Sequence, residues 1–186
     1  AQTGLVDPRT MPATCSANAA IDKVRPQRTE VVGLLAEYGD TDLLCYRATD
    51  PAALVDVQDQ RWNPLLAWAA AVLGAPLATG QGVVPVAQNP QSVARLRADL
   101  DACNDFALAA AHDLVSLSGS LVLAIAVMRG HLSAAQAWDV SRVDEDWQIS
   151  QWGVDDDAAA ATAVKRAAFL HAADFHLMAR TPDADC

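Results

Sequence analysis

The stretch that decides the fold is Asn104-Asp-Phe-Ala-Leu-Ala-Ala-Ala-His-Asp-Leu-Val-Ser-Leu-Ser118, followed after Gly119 by Ser120-Leu-Val-Leu-Ala-Ile-Ala-Val-Met-Arg-Gly130. Asn104 caps the first half, which runs to about Leu117, and Ser118 or Ser120 starts the second, which runs to Arg129-Gly130. Between those marks the residues are alanine and leucine-type formers that lose little entropy in a helix. The second half is apolar all round, as in a helix buried on every side, and at eight residues it is too short for a bilayer span. Connections of two to four residues make successive helices antiparallel neighbours, so the fold is organised around a helical core.

The same punctuation extends outward. Asn89-Pro90 opens a helix to about Ala102, Ser133 caps a long one reaching Trp152-Gly153, and the aspartates at 155–157 start a last one to about Arg180. Upstream, a short helix is expected from Met11-Pro12 to Val24. A second, opened by Pro26, carries Val31, Leu34, Leu35 and Tyr38 to Gly39. Thr41-Asp-Leu-Leu-Cys-Tyr46 reads as an extended buried connector. Asp50-Pro51 opens the next helix, which Pro64 kinks or restarts before Gly74-Ala-Pro76. Only 77–88, with Gly80, Gly82 and Pro85, reads as β, as a small hairpin at most. The expected fold is mainly α, a compact multi-helical, bundle-like domain.

Composition agrees. Alanine supplies 39 of 186 residues, while Gly and Pro supply 9 each. The hydrophobic fraction of 52% is enough for a real core. A formal charge of −10 argues against a binder of nucleic-acid phosphates or of anionic membranes. Cys15, Cys45, Cys103 and Cys186 form no CxxC pair and read as reduced thiols, with neither a disulfide framework nor a zinc site.

Chemistry is sparse. His112-Asp113 is the doublet of an HD-type metal hydrolase, but the other histidines (131, 171 and 176) lack the partner spacing. Asp155-Asp156-Asp157 is a single acidic cluster at a helix start, where the dipole alone accounts for it. Ser116-Leu-Ser-Gly-Ser120 is no nucleophile elbow, and Gly80-Gln-Gly82 is no phosphate loop. No catalytic residue, metal site or cofactor is expected.

The acidity is concentrated. Asp139, Asp144, Glu145, Asp146, Asp155, Asp156 and Asp157 fall within 19 residues that hold one base, Arg142. On one helix at about 100° per residue, Trp138, Arg142, Glu145, Ile149 and Trp152 share a face, and Val140, Val143 and Trp147 share the opposite one. Such a helix is either sandwiched or offers one side to a partner. Glu145 pairs with Arg142 three residues back or with a group on that partner.

Four stretches carry a resemblance. They are Thr41-Asp-Leu-Leu-Cys-Tyr-Arg47, Trp62-Asn-Pro-Leu-Leu-Ala-Trp68, Ser120-Leu-Val-Leu-Ala-Ile-Ala126 and Ser141-Arg-Val-Asp-Glu-Asp-Trp-Gln-Ile-Ser-Gln-Trp-Gly153. In order and spacing they resemble the mitochondrial ATP synthase F1 complex assembly factor 2 family, the ATP-twelve chaperones, over about residues 11–180. The resemblance implies an ATP-independent assembly chaperone, not an enzyme. Its client would be the free α subunit of F1-ATPase, whose subunit interface it would shield. It also implies a helical domain over 1–186, with 1–39 as a remnant of a small β-rich N-terminal domain that is mostly absent. Cys15-Ser16 departs from the basic residue that usually follows Met-Pro-x-Thr in the family.

The acidic run Asp144-Glu145-Asp146 matches the family's own, so Glu145 leads a partner-binding set with Asp144, Asp146, Trp138, Arg142, Trp147 and Trp152. A monomer without membrane insertion is expected. With 11 Arg against 2 Lys, a GC-rich bacterial source and a cytoplasmic setting are favoured; in a eukaryote the family works in the mitochondrial matrix. The alternatives from other classes are a helical metal-dependent hydrolase and an acidic adaptor with another client.

Overall fold

The computed structural model describes residues 10–82 and 84–180. Its helices are α1 (Pro12–Ala19), α2 (Arg28–Glu37), α3 (Ala52–Trp68), α4 (Pro90–Asp101), α5 (Asp105–Ser118), α6 (Leu121–Met128), α7 (Ala134–Ser141), α8 (Val143–Trp152) and α9 (Asp156–Ala179). Wider π-type turns extend α1 over Ala20–Val24 and α3 over Ala69–Leu73. The mainly α fold expected from the sequence is the fold observed. No helix of the described residues is long and apolar enough to cross a membrane.

The caps read from the sequence are in place. Side-chain oxygens of Asn89, Asn104, Ser120, Ser133 and Asp155 each accept a first-turn N–H of the helix that follows. Gly119 closes α5 at φ +71°, a left-handed conformation that a β-carbon would strain.

α6 is the centre. Leu121 to Ala126 are all buried, so the free N–H groups of its first turn cannot reach water and need protein acceptors. Ser120 Oγ takes Leu123 N at 3.0 Å, and the carboxylate of Asp42 takes Val122 N at 3.0 Å. Asp42 also accepts from Ser120 Oγ at 2.7 Å and Leu44 N at 3.0 Å. It is 0% exposed, and burial pushes its carboxyl above the usual range while these donors pull it back. Around α6 pack α5, α7 and the C-terminal half of α9. α5 offers alanines at 107 and 109–111, and α9 offers Ala172 and Ala173, small side chains that let helices approach closely. Phe169 lies 5.6 Å from Trp138, and Phe175 lies 6.4 Å from Phe106.

Several local expectations are corrected. The strand at Gly80–Gln81 (β2) forms no hairpin; it pairs in parallel with Tyr46–Arg47 (β1), because Gly82 N donates to the Arg47 carbonyl. The connector 41–46 is not simply extended: Asp42 caps a 3₁₀ turn at Leu43–Cys45. Asp50 does not cap α3, which starts after Pro51 and runs through Pro64 without ending there. α2 buries Val32, Leu35 and Ala36 and leaves Leu34 exposed, a face turned by one residue from the expected one to meet α4.

The helix expected from Ser133 to Trp152 is two helices. The Trp62 indole donates to the Val140 carbonyl at 3.0 Å, and Ser141 Oγ donates to the Trp138 carbonyl at 2.7 Å. These donors compete for carbonyls that a continuous helix would use, and Arg142 (φ −104°, ψ 9°) ends one helix and begins the other.

Cys45 is buried and Cys103 half-buried, both as free thiols, and Cys15 is exposed. Burial pushes the Cys45 thiol up to about 12. Cys186 lies outside the described residues.

Two stability predictions follow from this core. Asp42→Ala strands two buried N–H groups and a hydroxyl, and should cost on the order of 3 kcal/mol in urea unfolding. His176 donates from Nε2 to the Met128 carbonyl at 3.1 Å, and burial holds it below its ordinary 6.5. The unfolded chain then binds the proton first. The contribution of neutral His176 is complete above about pH 6.5 and is lost as pH falls below it. The stability gap between wild type and His176→Gln should therefore narrow toward pH 5.

Candidate functional site

α8 carries its three acids, Asp144, Glu145 and Asp146, in its first turn, where the helix dipole favours negative charge. Of its ten residues only Val143 is buried. Asp144 accepts from Gln58 Nε2 at 2.6 Å, and Gln58, itself buried, accepts from Ala48 N at 2.8 Å. The helix is therefore tied to α3 and, through it, to the segment after β1.

Glu145 accepts from Arg142 Nη1 at 2.9 Å, with the glutamate side chain 46% exposed and the arginine 18%. The Arg142 guanidinium also lies 5.9 Å from the Trp138 ring centroid. Trp138, expected beside Glu145 on one face, is instead in the core against Phe169, because the break at Arg142 turns α8 away from α7. Trp147 is half-buried, Asp146 is exposed, and Trp152 is 80% exposed. Asp144, Glu145, Asp146, Trp147 and Trp152 thus occupy one surface helix, with Arg142 and Trp138 behind its start.

Sequence reasoning missed the residues that hold this helix. Arg47 is 6% exposed, donates to Asp59 at 3.2 Å and Asn63 at 2.8 Å, and lies 5.1 Å from the Trp62 ring centroid. Burial lowers its affinity for the proton, while Asp59 and Asp144 oppose that. Trp62 in turn reaches Val140, and Asp42 reaches Ser120. The stretches 41–47, 62–68, 120–126 and 141–153, or residues beside them, are thereby connected in space by polar contacts. Their separate resemblance to one family was the available signal that they belong together.

The hydrolase residues do not converge. His112 Nδ1 contacts Asp113 at 3.0 Å on the surface, and that hydrogen bond raises its pKa. His131 stacks on Trp68, His171 contacts Ser16 and His176 contacts Met128. Among the described residues no group of three His, Cys, Asp or Glu could hold a metal ion.

Fold and surface together define a mainly helical protein that displays an acidic helix tied to α3 through the buried Gln58. Comparison with known proteins is specific. The model of the ATP12 chaperone protein family matches residues 1–70. The crystal structure of Atp12 from Paracoccus denitrificans superposes with a TM-score of 0.93 at 46% identity, over 97% of this chain and 77% of that one. A mutant of P. denitrificans Atp12p matches with a TM-score of 0.94 at the same identity and coverage. The mitochondrial protein atp12 of Schizosaccharomyces pombe is 24% identical over 157 residues, 80% of this chain and 54% of that protein. The chain spans about half the length of this curated relative. It belongs to the ATP12 chaperone family.

If Gln58 fastens α8, Gln58→Ala should raise hydrogen exchange at the amides of 143–152 well above any change in α5 or α6. Equal acceleration everywhere would show that Gln58 supports the whole core instead.

Proposed function

We propose that this protein is an ATP-independent assembly chaperone that binds the free α subunit of F1-ATPase and shields its subunit interface before the ATP synthase head forms. The observation that carries the reading is α8 itself: in a chain of the ATP12 chaperone family, it is a firmly held helix with almost nothing buried and three acids at its start. A free subunit exposes apolar interface and cationic groups that would otherwise meet a neighbouring subunit. An acidic helix bearing tryptophan offers apolar cover and complementary charge to both.

Glu145, Asp144, Asp146, Trp147 and Trp152 are the contacting residues in this reading, and Trp138 and Arg142 position them. The Arg142–Glu145 pair suits exchange. A half-exposed pair at i,i+3 is worth less than about 1 kcal/mol, so a client arginine can replace Arg142 at small cost. The bacterial relatives favour action in a bacterial cytoplasm.

The test is aggregation of purified α subunit with and without the chaperone, followed by light scattering. Glu145→Lys should weaken protection several-fold while its circular dichroism and unfolding midpoint stay those of wild type. Undiminished protection, or loss of the fold, would remove Glu145 from the site.

A further inference from the structure

Between Gln148 and Ala168 every residue is exposed except the half-buried Thr162. The stretch comprises the end of α8, the turn at Gly153 and the first 13 residues of α9, roughly 20 Å of helix at 1.5 Å per residue. The first buried residue of α9 is Phe169. This part of α9 stays helical for local reasons. Asp155 caps it, accepting from Ala158 N at 2.8 Å, Asp156 and Asp157 sit at its positive end, and alanines fill 158–161.

Its apolar side chains are left in water. Ile149 and Trp152 are i,i+3 neighbours on α8, exposed by 41% and 80%; Val154 in the turn is exposed by 65%. Val164 adds a further exposed apolar side chain on α9. From Asp146 to Ala168 the chain carries four carboxylates (Asp146, Asp155, Asp156 and Asp157) around the turn, and two bases, Lys165 and Arg166, only at its far end. Apolar groups in this number do nothing for the core, and the carboxylates around them would repel an acidic partner.

We propose that this arm, Ile149-Ser-Gln-Trp-Gly-Val-Asp155 with the exposed start of α9, extends the docking surface past Trp152 and takes an apolar client segment flanked by Lys or Arg. The proposal rests on the chaperone reading and carries client contact beyond the acids of α8, across Gly153. Trp152 anchors the segment, Ile149 and Val154 widen the apolar floor, and Asp155–Asp157 hold the flanking cations. The alanines of α9 let the client backbone come close.

The test uses the full chain with two probes: purified α subunit, and a synthetic amphipathic Leu/Arg peptide with its Leu/Glu counterpart. Binding is read by tryptophan emission and titration calorimetry. Wild type should bind the subunit and the Leu/Arg peptide, with emission shifting to the blue, and should ignore the Leu/Glu peptide. Affinity for the Leu/Arg peptide should fall as salt rises. Ile149→Ser/Trp152→Ser should lose at least about 10-fold in affinity for both ligands with unchanged circular dichroism. Trp152→Ser alone serves if the double variant folds poorly.

Unchanged affinity in the variant overturns the arm. If Glu145→Lys still weakens subunit binding in that case, the chaperone reading stands without it. Peptide binding that the variant loses, in a protein that does not bind α subunit, supports the arm and overturns the choice of client. No binding of either probe by wild type overturns both.

Discussion

A helix that is apolar on every side can sit at the centre of a protein only if something other than water satisfies its first N–H groups. α6 is such a helix, and Asp42, 78 residues before the capping Ser120, supplies the acceptors. The carboxylate has lost its hydration and recovers part of that cost from three donors. Its placement fixes the segment 42–47 against the core. That in turn fixes where Ala48 meets Gln58, and so where α8 is fastened. Core and surface are coupled through polar contacts whose strength comes from being buried.

This dependence explains what could be read from the sequence. Helix starts were legible because caps act within three residues: Asn104, Ser120, Ser133 and Asp155 each bond to the turn beside them. The mainly α class followed from those caps and the alanine content. The break at Arg142 was not legible, because it depends on the indole of Trp62 taking a carbonyl that local sequence assigns to a continuous helix. The pairing of β1 with β2 and the burial of Arg47 were hidden for the same reason: each needs a partner brought in by the fold.

The candidate site divides along the same line. The acids of α8 stood out as a charge cluster, and the pairing of Glu145 with Arg142 follows from helical spacing alone. Which tryptophan faces water did not. Periodicity grouped Trp138 with Trp152, yet one lies in the core and the other is 80% exposed, because the break at Arg142 re-aims everything after it relative to a regular helical wheel.

The break also gives the surface its form. A continuous helix packed through Trp138, Val140 and Val143 would have been held along its length, with its far end drawn onto the core. Ending α7 at Arg142 lets α8 begin again with its own free N-terminus, where the dipole favours three carboxylates, one of which, Glu145, also pairs with Arg142. The exposed Asp146, and Glu145 through its exchangeable surface pair, consequently keep capacity for an external cation. Gly153, at φ +88°, then turns the chain into α9, whose first 13 residues also bury nothing. The fold thus roots this excursion at Gln58, with Trp62 holding the end of α7 just before it, and leaves its outer part to whatever protein it meets.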